Sequence, residues 1–392
     1  MAHTARQRAA HDVVIVGGGP GGAALGMLLA SRGISTLILE RSTFPRPKPC
    51  GGMLSPLGAH AVRAVFGDEA LRSITVAAST GCRMFHGRER VVDYDGSDEA
   101  VFADRRDMDQ RFLTAARDAG CDVVEGDAVV AVDADRATAR RASGLENRGA
   151  VLVGADGALS VVRRAVGGAR RPLRRPAFGL VADVPVDRLK DDGTRDACRR
   201  LPHIYFGAPP WGYGWIFPKG DRASVGVAGE VRKGVRFREH FNRLVAATCV
   251  AGTVGRLDAR GGRIPYDRFD PSPGRGRVLL VGDAAGMVEP VTGEGIGFAV
   301  EAARLAAAAV ARALERGDPA GAGRLYNAAC RRTLYPRLWH GRWARWFLFA
   351  RHCLPRAMRA LRRRPELVRW YFDLSAGRLT YPAYFRRLVF GR

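Results

Sequence analysis

Between Asp12 and Glu40 the apolar positions trace strand, turn, helix and strand. Asp12-Val-Val-Ile-Val16 is a short apolar run, Ala23 to Ser31 has helical composition, and Ile34 to Leu39 is apolar again. A helix is expected from Arg105 to Ala119, with Gly120 suited to the position after its end, and Cys121 to Val132 alternates as a strand does. Two more strands end in acidic turns, Val151-Leu-Val-Gly154-Ala155-Asp156-Gly157 and Arg277-Val-Leu-Leu-Val-Gly282-Asp283. Thr292-Gly-Glu-Gly-Ile-Gly297 then opens a long alanine-rich helix to about Arg316. From 176 to 264 the texture changes. Phe178 to Val186, His203 to Gly207, Tyr213 to Pro218 and Ala223 to Ala228 are short alternating runs parted by Pro, Gly and Asp turns, as in an antiparallel sheet. After Arg331, Leu338, Trp339, Trp343, Trp346, Phe347, Ala350 and Leu354 recur at spacings of three and four, with Arg342, Arg345 and Arg351 between them, until Pro355 interrupts. An amphipathic basic helix is predicted there, serving either as core packing or as a membrane-interface element.

At 392 residues the chain has room for two domains or one composite one, and 47% apolar residues exclude general disorder. No run reaches the roughly 18 to 20 apolar residues of a membrane span. Met1 to His11 has no apolar signal core, so a cytoplasmic protein is expected, one able to lie peripherally on the inner face of the cell membrane. Seven cysteines scattered without C-x-x-C spacing argue against a disulfide framework and a zinc site. The net charge of +24 is unevenly placed: the last 62 residues hold 16 arginines against Glu366 and Asp373. Anionic lipid or an acidic protein would answer to such a tail. No nucleic-acid module is present, because the glycines follow strands and the aromatics fit no RNA-binding pattern.

Chemistry concentrates in the glycine turns. Gly17-Gly18-Gly19-Pro20-Gly21-Gly22 matches G-x-G-x-x-G at Gly17, Gly19 and Gly22, between a strand and a helix, and Glu40 ends the next strand about twenty residues on. Bare glycines let the backbone approach a pyrophosphate at a helix N-terminus, and a carboxylate at that distance binds a ribose hydroxyl. Pro47-Lys48-Pro49-Cys50-Gly51-Gly52 is stiff on entry and bare on exit, which suits a loop lying against a flat ring with Cys50 presented to it. Taken alone, it is equally an ordinary turn with a buried thiol. Tyr213, Trp215 and Phe217 share one strand face, either roofing an apolar substrate or packing as a core on a helix.

The three glycine motifs in this order resemble the flavoproteins of the para-hydroxybenzoate hydroxylase fold. That resemblance implies FAD, with its ADP half on Gly17, Gly19, Pro20 and Gly22, its ribose near Glu40 and Arg41, and its pyrophosphate near Asp156 and Gly157. It further implies that Arg105, in an R-x-x-[hydrophobic]-D pattern, contacts the cofactor, that Gly282 and Asp283 hold the ribityl chain, and that the amides at Gly293, Gly295 and Ile296 meet the pyrophosphate or the pyrimidine side of the flavin. Pro49-Cys50-Gly51-Gly52 together with Tyr213-Gly-Trp-Ile-Phe-Pro-Lys219 is similar to the geranylgeranyl reductase family, over residues 12 to about 310.

The implied fold class is α/β (α+β): a discontinuous Rossmann-like FAD-binding domain (1–80, 100–175 and 265–330), an antiparallel-sheet substrate domain (81–99 and 176–264) and a basic, aromatic-rich helical C-terminal region (331–392). The implied activity is reduction of isoprenoid double bonds in a prenyl lipid, prenylated pigment or quinone, with electrons from NADPH or ferredoxin. Cys50, Gly51 and Gly52 would meet the reacting face, while Tyr213, Trp215 and Phe217 line a prenyl channel. The alternative is a monooxygenase of the same fold acting on an aromatic or polyketide substrate.

Overall fold

The computed structural model describes residues 11–167, 176–266, 269–350 and 352–390; the first ten residues and Arg351 lie outside them. Its two sheets have different physical characters. In the first, His11–Val16 pairs in parallel with Thr36–Leu39 on one side and Glu146–Gly154 on the other; Asp122–Val124 and Val278–Leu280 extend it in parallel, and Gly274–Arg275 closes one edge. Val13, Val14 and Ile15 are fully buried, the continuous apolar run expected of a strand covered on both faces. Among the covering helices, Pro20–Ala30 packs against both Arg105–Asp118 and Ile296–Glu315.

Parallel register decides where the motifs go. Val16 stands beside Leu39 and Gly154, and Gly154 beside Leu280. The glycine turn after Val16, Glu40, the Ala155–Gly157 turn and the Gly282–Asp283 turn therefore leave the sheet along one edge, the carboxyl edge at which open α/β sheets bind ligands.

The second sheet runs in the order Arg260–Ile264, Ala177–Pro185, Arg222–Glu230, Gly212–Lys219, His203–Phe206, Thr75–His86, Glu89–Ala103 and Met53–Leu54. Its alternation sorts side chains by face. Leu180, Ile216, Val225 and Val227 bury against Phe241, Leu244 and Val245 of the helix Phe237–Thr248, while Phe102, Val181, Trp215, Phe217 and Ala228 form a separate apolar cluster on the other face. Five helices follow Gly321. Phe349, Leu354, Met358 and Val368, from three of them, pack on Cys82, Met84 and Val91 of the hairpin Thr75–Ala103, tying the tail to the antiparallel sheet.

Three expectations change. The antiparallel sheet takes in Met53–Leu54 and all of Thr75–Ala103, well beyond 81–99, because the hairpin carries polar, half-exposed positions and three register shifts that blur its alternation. Cys121 to Val132 divides into Asp122–Val124 in the parallel sheet and Val129–Asp133, which pairs with Thr138–Arg141. The tail helix ends at Phe349, where Ala350 turns to ψ 137°, and Pro355 sits in the first turn of the next helix, where a missing N–H costs nothing.

Candidate active site

A cleft of about 240 Å³, partly open to solvent, lies between the carboxyl edge of the parallel sheet and the aromatic face of the antiparallel one. On the first side the turns have no room for side chains. Gly17 adopts φ +103°, and a Cβ there would stand 2.5 Å from the Ala155 carbonyl oxygen; a Cβ on Gly22 would stand 1.8 Å from the Gly17 oxygen. Gly19, in contrast, would bring a Cβ no nearer than 3.9 Å to any of its surroundings, at Arg46 Nη2, and caps the helix Pro20–Ala30 with no side chain on its first amides. Gly295 leaves the start of the 20-residue helix Ile296–Glu315 uncapped in the same way. Two sets of free N–H groups thus open on the cleft, each with the positive end of a helix dipole behind it.

Carboxylates hold the turns in place. Buried Glu40 accepts the Gly18 N–H at 2.8 Å and the Ser42 N–H at 3.0 Å. Asp156 accepts the Val161 N–H through Oδ2 at 2.7 Å while its buried Oδ1 has no partner, and burial raises its pKa. Asp283 stands on the turn Gly282–Ala285 and lines the cleft. Arg105 forms a buried two-point pair with Asp109, both contacts at 2.8 Å. Burial alone would lower its guanidinium pKa, but Asp109 and the neighbouring Cys50 sulfur raise it. Uncapped amides and bare glycines suit a dinucleotide's phosphates, and the Asp283 carboxylate in the lining suits its hydroxyls, so the residues fit FAD.

On the second side Cys50 Sγ accepts the Gly52 N–H at 3.4 Å. Gly52 has φ +77°, and a Cβ on it would meet the Ala103 carbonyl oxygen at 2.2 Å, so this position admits only glycine. Gly51 lies flat on the aromatic face: its Cβ would fall 3.1 Å from the Phe217 ring and 3.2 Å from Trp215 Nε1. Trp215 and Phe217 stack at 5.9 Å, and Trp215 Nε1 donates to Ser224 Oγ at 3.2 Å. The Tyr213 hydroxyl donates to the Thr292 carbonyl, which joins the strand to the third glycine motif, and burial pushes its pKa up. Lys48 also lines the cleft; burial, and then Arg105, hold its pKa below the usual lysine value. Lys219 bridges Asp183 at 2.7 Å and Asp104 at 2.9 Å, linking this strand to the cap of the Arg105 helix.

Residues 10–214 match the family described as FAD binding domain. A geranylgeranyl diphosphate reductase of Rhodobacter capsulatus is 31% identical over 322 residues, 79% of this chain and 77% of that protein. This chain belongs to the geranylgeranyl reductase family. As a family member it is a flavin-dependent reductase with FAD as its cofactor. A menaquinone reductase of Mycobacterium tuberculosis is 31% identical over 323 residues, 76% of this chain and 75% of that protein. A solved geranylgeranyl bacteriochlorophyll reductase-like protein from Thermoplasma acidophilum shares the fold, with a TM-score of 0.78 at 20% identity over 97% of this chain and 98% of the other.

Within this family member, Cys50, Gly51, Gly52, Tyr213, Trp215 and Phe217 all line the cleft, as do Gly19, Pro20, Arg105, Gly157, Gly282, Asp283, Gly293, Gly295 and Ile296. Gly17, Gly22, Glu40 and Asp156 stand behind that lining and shape the turns. Arg41 is exposed and is not brought to the cleft, because the chain turns outward after Glu40. Sequence reasoning missed Arg46, which reaches Asp109 at 3.4 Å and Glu40 at 3.7 Å beside the glycine turn. Its place in the proline-rich approach to Cys50 was the available signal. It also missed Tyr266 and Arg345. The latter sat in the tail pattern as one arginine among aromatics, yet it is buried in the cleft wall, where it donates to the Pro290 carbonyl at 3.0 Å, to Tyr266 Oη at 2.7 Å and to the Trp211 carbonyl.

Proposed function

We propose that this reductase saturates isoprenoid double bonds of a prenyl lipid, prenylated pigment or quinone, and that Cys50 holds the proton that completes the reduction. The observation supporting this most directly is the Cys50-Gly51-Gly52 loop lying against Trp215 and Phe217, across the cleft from the Gly282–Asp283 and Gly293–Ile296 segments. FAD, when bound and reduced by the electron donor, would supply the hydride for one alkene carbon. The chain's own groups do the rest. The free amides of the Gly19 and Gly295 helix starts bind the cofactor's anionic and polar edges, with Asp283 accepting hydroxyl protons.

An isolated trisubstituted alkene accepts hydride only as its other carbon is protonated and positive charge develops on the carbon that receives the hydride, so water has to be excluded there. Trp215, Phe217, Val181 and Ile264 supply an apolar wall for that purpose. Tyr213 is committed to the Thr292 carbonyl, whereas Cys50 Sγ lines the cleft with its proton uncommitted, next to Arg105. The electron donor in this reading is NADPH or a reduced ferredoxin, the second suited to the net charge of +24.

Cys50→Ala tests the reading in an anaerobic single turnover with the flavin reduced beforehand. Flavin binding should be retained, while the step that adds two hydrogens to the prenyl chain, followed by mass, slows by roughly a hundredfold. An unchanged rate would leave Cys50 only the role of shaping the loop. Oxygen uptake coupled to a product heavier by one oxygen would replace the reductase reading with the monooxygenase one.

A further inference from the structure

The outer face of the helix Tyr335–Phe349 takes no part in the site just described. Trp339, Trp343, Trp346 and Phe347 are 51, 55, 48 and 54% exposed, and among the described residues no other Trp or Phe is comparably exposed. Their spacing of i, i+4, i+7 and i+8 puts all four in one stripe. Soluble surfaces seldom show a contiguous aromatic stripe without a partner. The opposite face of the same helix is buried and brings Arg345 to the cleft: Leu338, Gly341, Arg345 and Phe349 are covered, and Gly341 lies so close to the third glycine motif that a Cβ would meet Glu289 Oε1 at 2.7 Å and Pro290 at 2.9 Å. One helix therefore separates the exposed tryptophans from the substrate cleft.

Charge indicates what covers the stripe. From Pro319 to Pro365 the chain has twelve arginines and no Asp or Glu. Arg342 is exposed and lies over the Trp339 ring at 5.7 Å, and Arg331, Arg332, Arg356, Arg359 and Arg363 are exposed nearby in sequence. Tryptophans flanked by arginines match the boundary between acyl chains and anionic headgroups, where the ring enters the apolar layer and the guanidinium stays with phosphate. No helix among the described residues is long and apolar enough to cross a membrane, so the contact is one of lying on the surface.

We infer that the Trp339–Phe347 stripe docks this reductase on the face of an anionic bilayer, with the cleft one helix away. Docking itself does not depend on the reaction; delivery of substrate from the bilayer rests on the prenyl reading.

The test is flotation of the FAD-loaded full chain with vesicles of phosphatidylglycerol and phosphatidylcholine in equal parts, against phosphatidylcholine alone, without substrate. The wild type should float with the mixed vesicles, and less so in high salt. The variant Trp339→Ser, Trp343→Ser, Phe347→Ser should lose at least about tenfold in partitioning while keeping its flavin absorbance and unfolding midpoint. Should the triple variant lose flavin, Trp343→Ser alone, at the most exposed of these rings, carries the same test. Equal flotation of wild type and variant, or no flotation of the wild type, overturns the inference. So does a wild-type dimer that the substitutions convert to monomer without any vesicle binding, because the stripe would then face a second copy. Since no turnover is measured, failure here is distinct from failure of the prenyl reading.

Discussion

The two walls of the cleft are built on opposite plans. The cofactor wall is largely backbone: Gly19, Gly157 and Gly295 face the cleft bare, while Gly17 and Gly22 let the turn close behind them and carboxylates brace it. The substrate wall is side chain, with Trp215 and Phe217 stacked over a loop whose two glycines serve to let the rings come close. A backbone wall recognises what every FAD shares, namely phosphates and hydroxyls. A side-chain wall can be resized by changing one ring, so substrate choice can vary on a constant cofactor site.

The same substitution made in each wall should separate them. Gly22→Ala places a methyl 1.8 Å from the Gly17 carbonyl oxygen, which is backbone and cannot swing aside. The purified variant should be colourless, with no flavin absorbance and no turnover. Gly52→Ala sets a methyl 2.2 Å from the Ala103 oxygen at a positive φ, costing about 1–3 kcal/mol of strain. It should keep flavin but displace Cys50, slowing alkene reduction by about a hundredfold in the single-turnover assay. Flavin lost from the Gly52 variant and kept by the Gly22 variant would reverse the assignment of the walls.

Acid should weaken the antiparallel half through a single histidine. His203 is 2% exposed on that sheet, its Nε2 has no partner, and burial, assisted by Arg83, lowers its pKa to about 4. The unfolded chain titrates this group near 6.5, so the neutral ring stabilises the fold above that pH and the contribution is lost as pH falls toward 4. Between about pH 7 and pH 5 the loss should be about 2 kcal/mol, visible as a falling unfolding midpoint, and His203→Gln should flatten that slope. A slope unchanged in the variant would place the acid sensitivity elsewhere.

How legible each wall was follows from the same contrast. Backbone recognition forces glycine at fixed positions, and a collision such as that at Gly22 leaves a sequence no latitude; the parallel register then gathers four strand ends that are far apart in the chain. The loop at Cys50 and the Tyr213–Phe217 face were readable because each is local, but their meeting through Gly51 was not. The hairpin Thr75–Ala103 escaped because register shifts between Thr75 and Ala77, Ser79 and Gly81, and Met84 and Phe85 break the period on which strand reading depends. Arg345 was placed on the wrong side of its helix for a different reason. An arginine among tryptophans reads as the polar face, and only acceptors from Pro290, Trp211 and Tyr266, all distant in sequence, make its burial tolerable.

Lys219 carries a consequence for anyone recombining this enzyme with a relative. The chain passes between the two sheets four times, after Leu39, Ala103, Gly154 and Ile264, so no single crossover point exchanges one wall for another. A chimera importing a new aromatic strand also brings its own residue to position 219, which has to find acids both on the next strand but one at Asp183 and on the host's helix cap at Asp104. Specificity in this enzyme is therefore better retuned ring by ring than transplanted as a module.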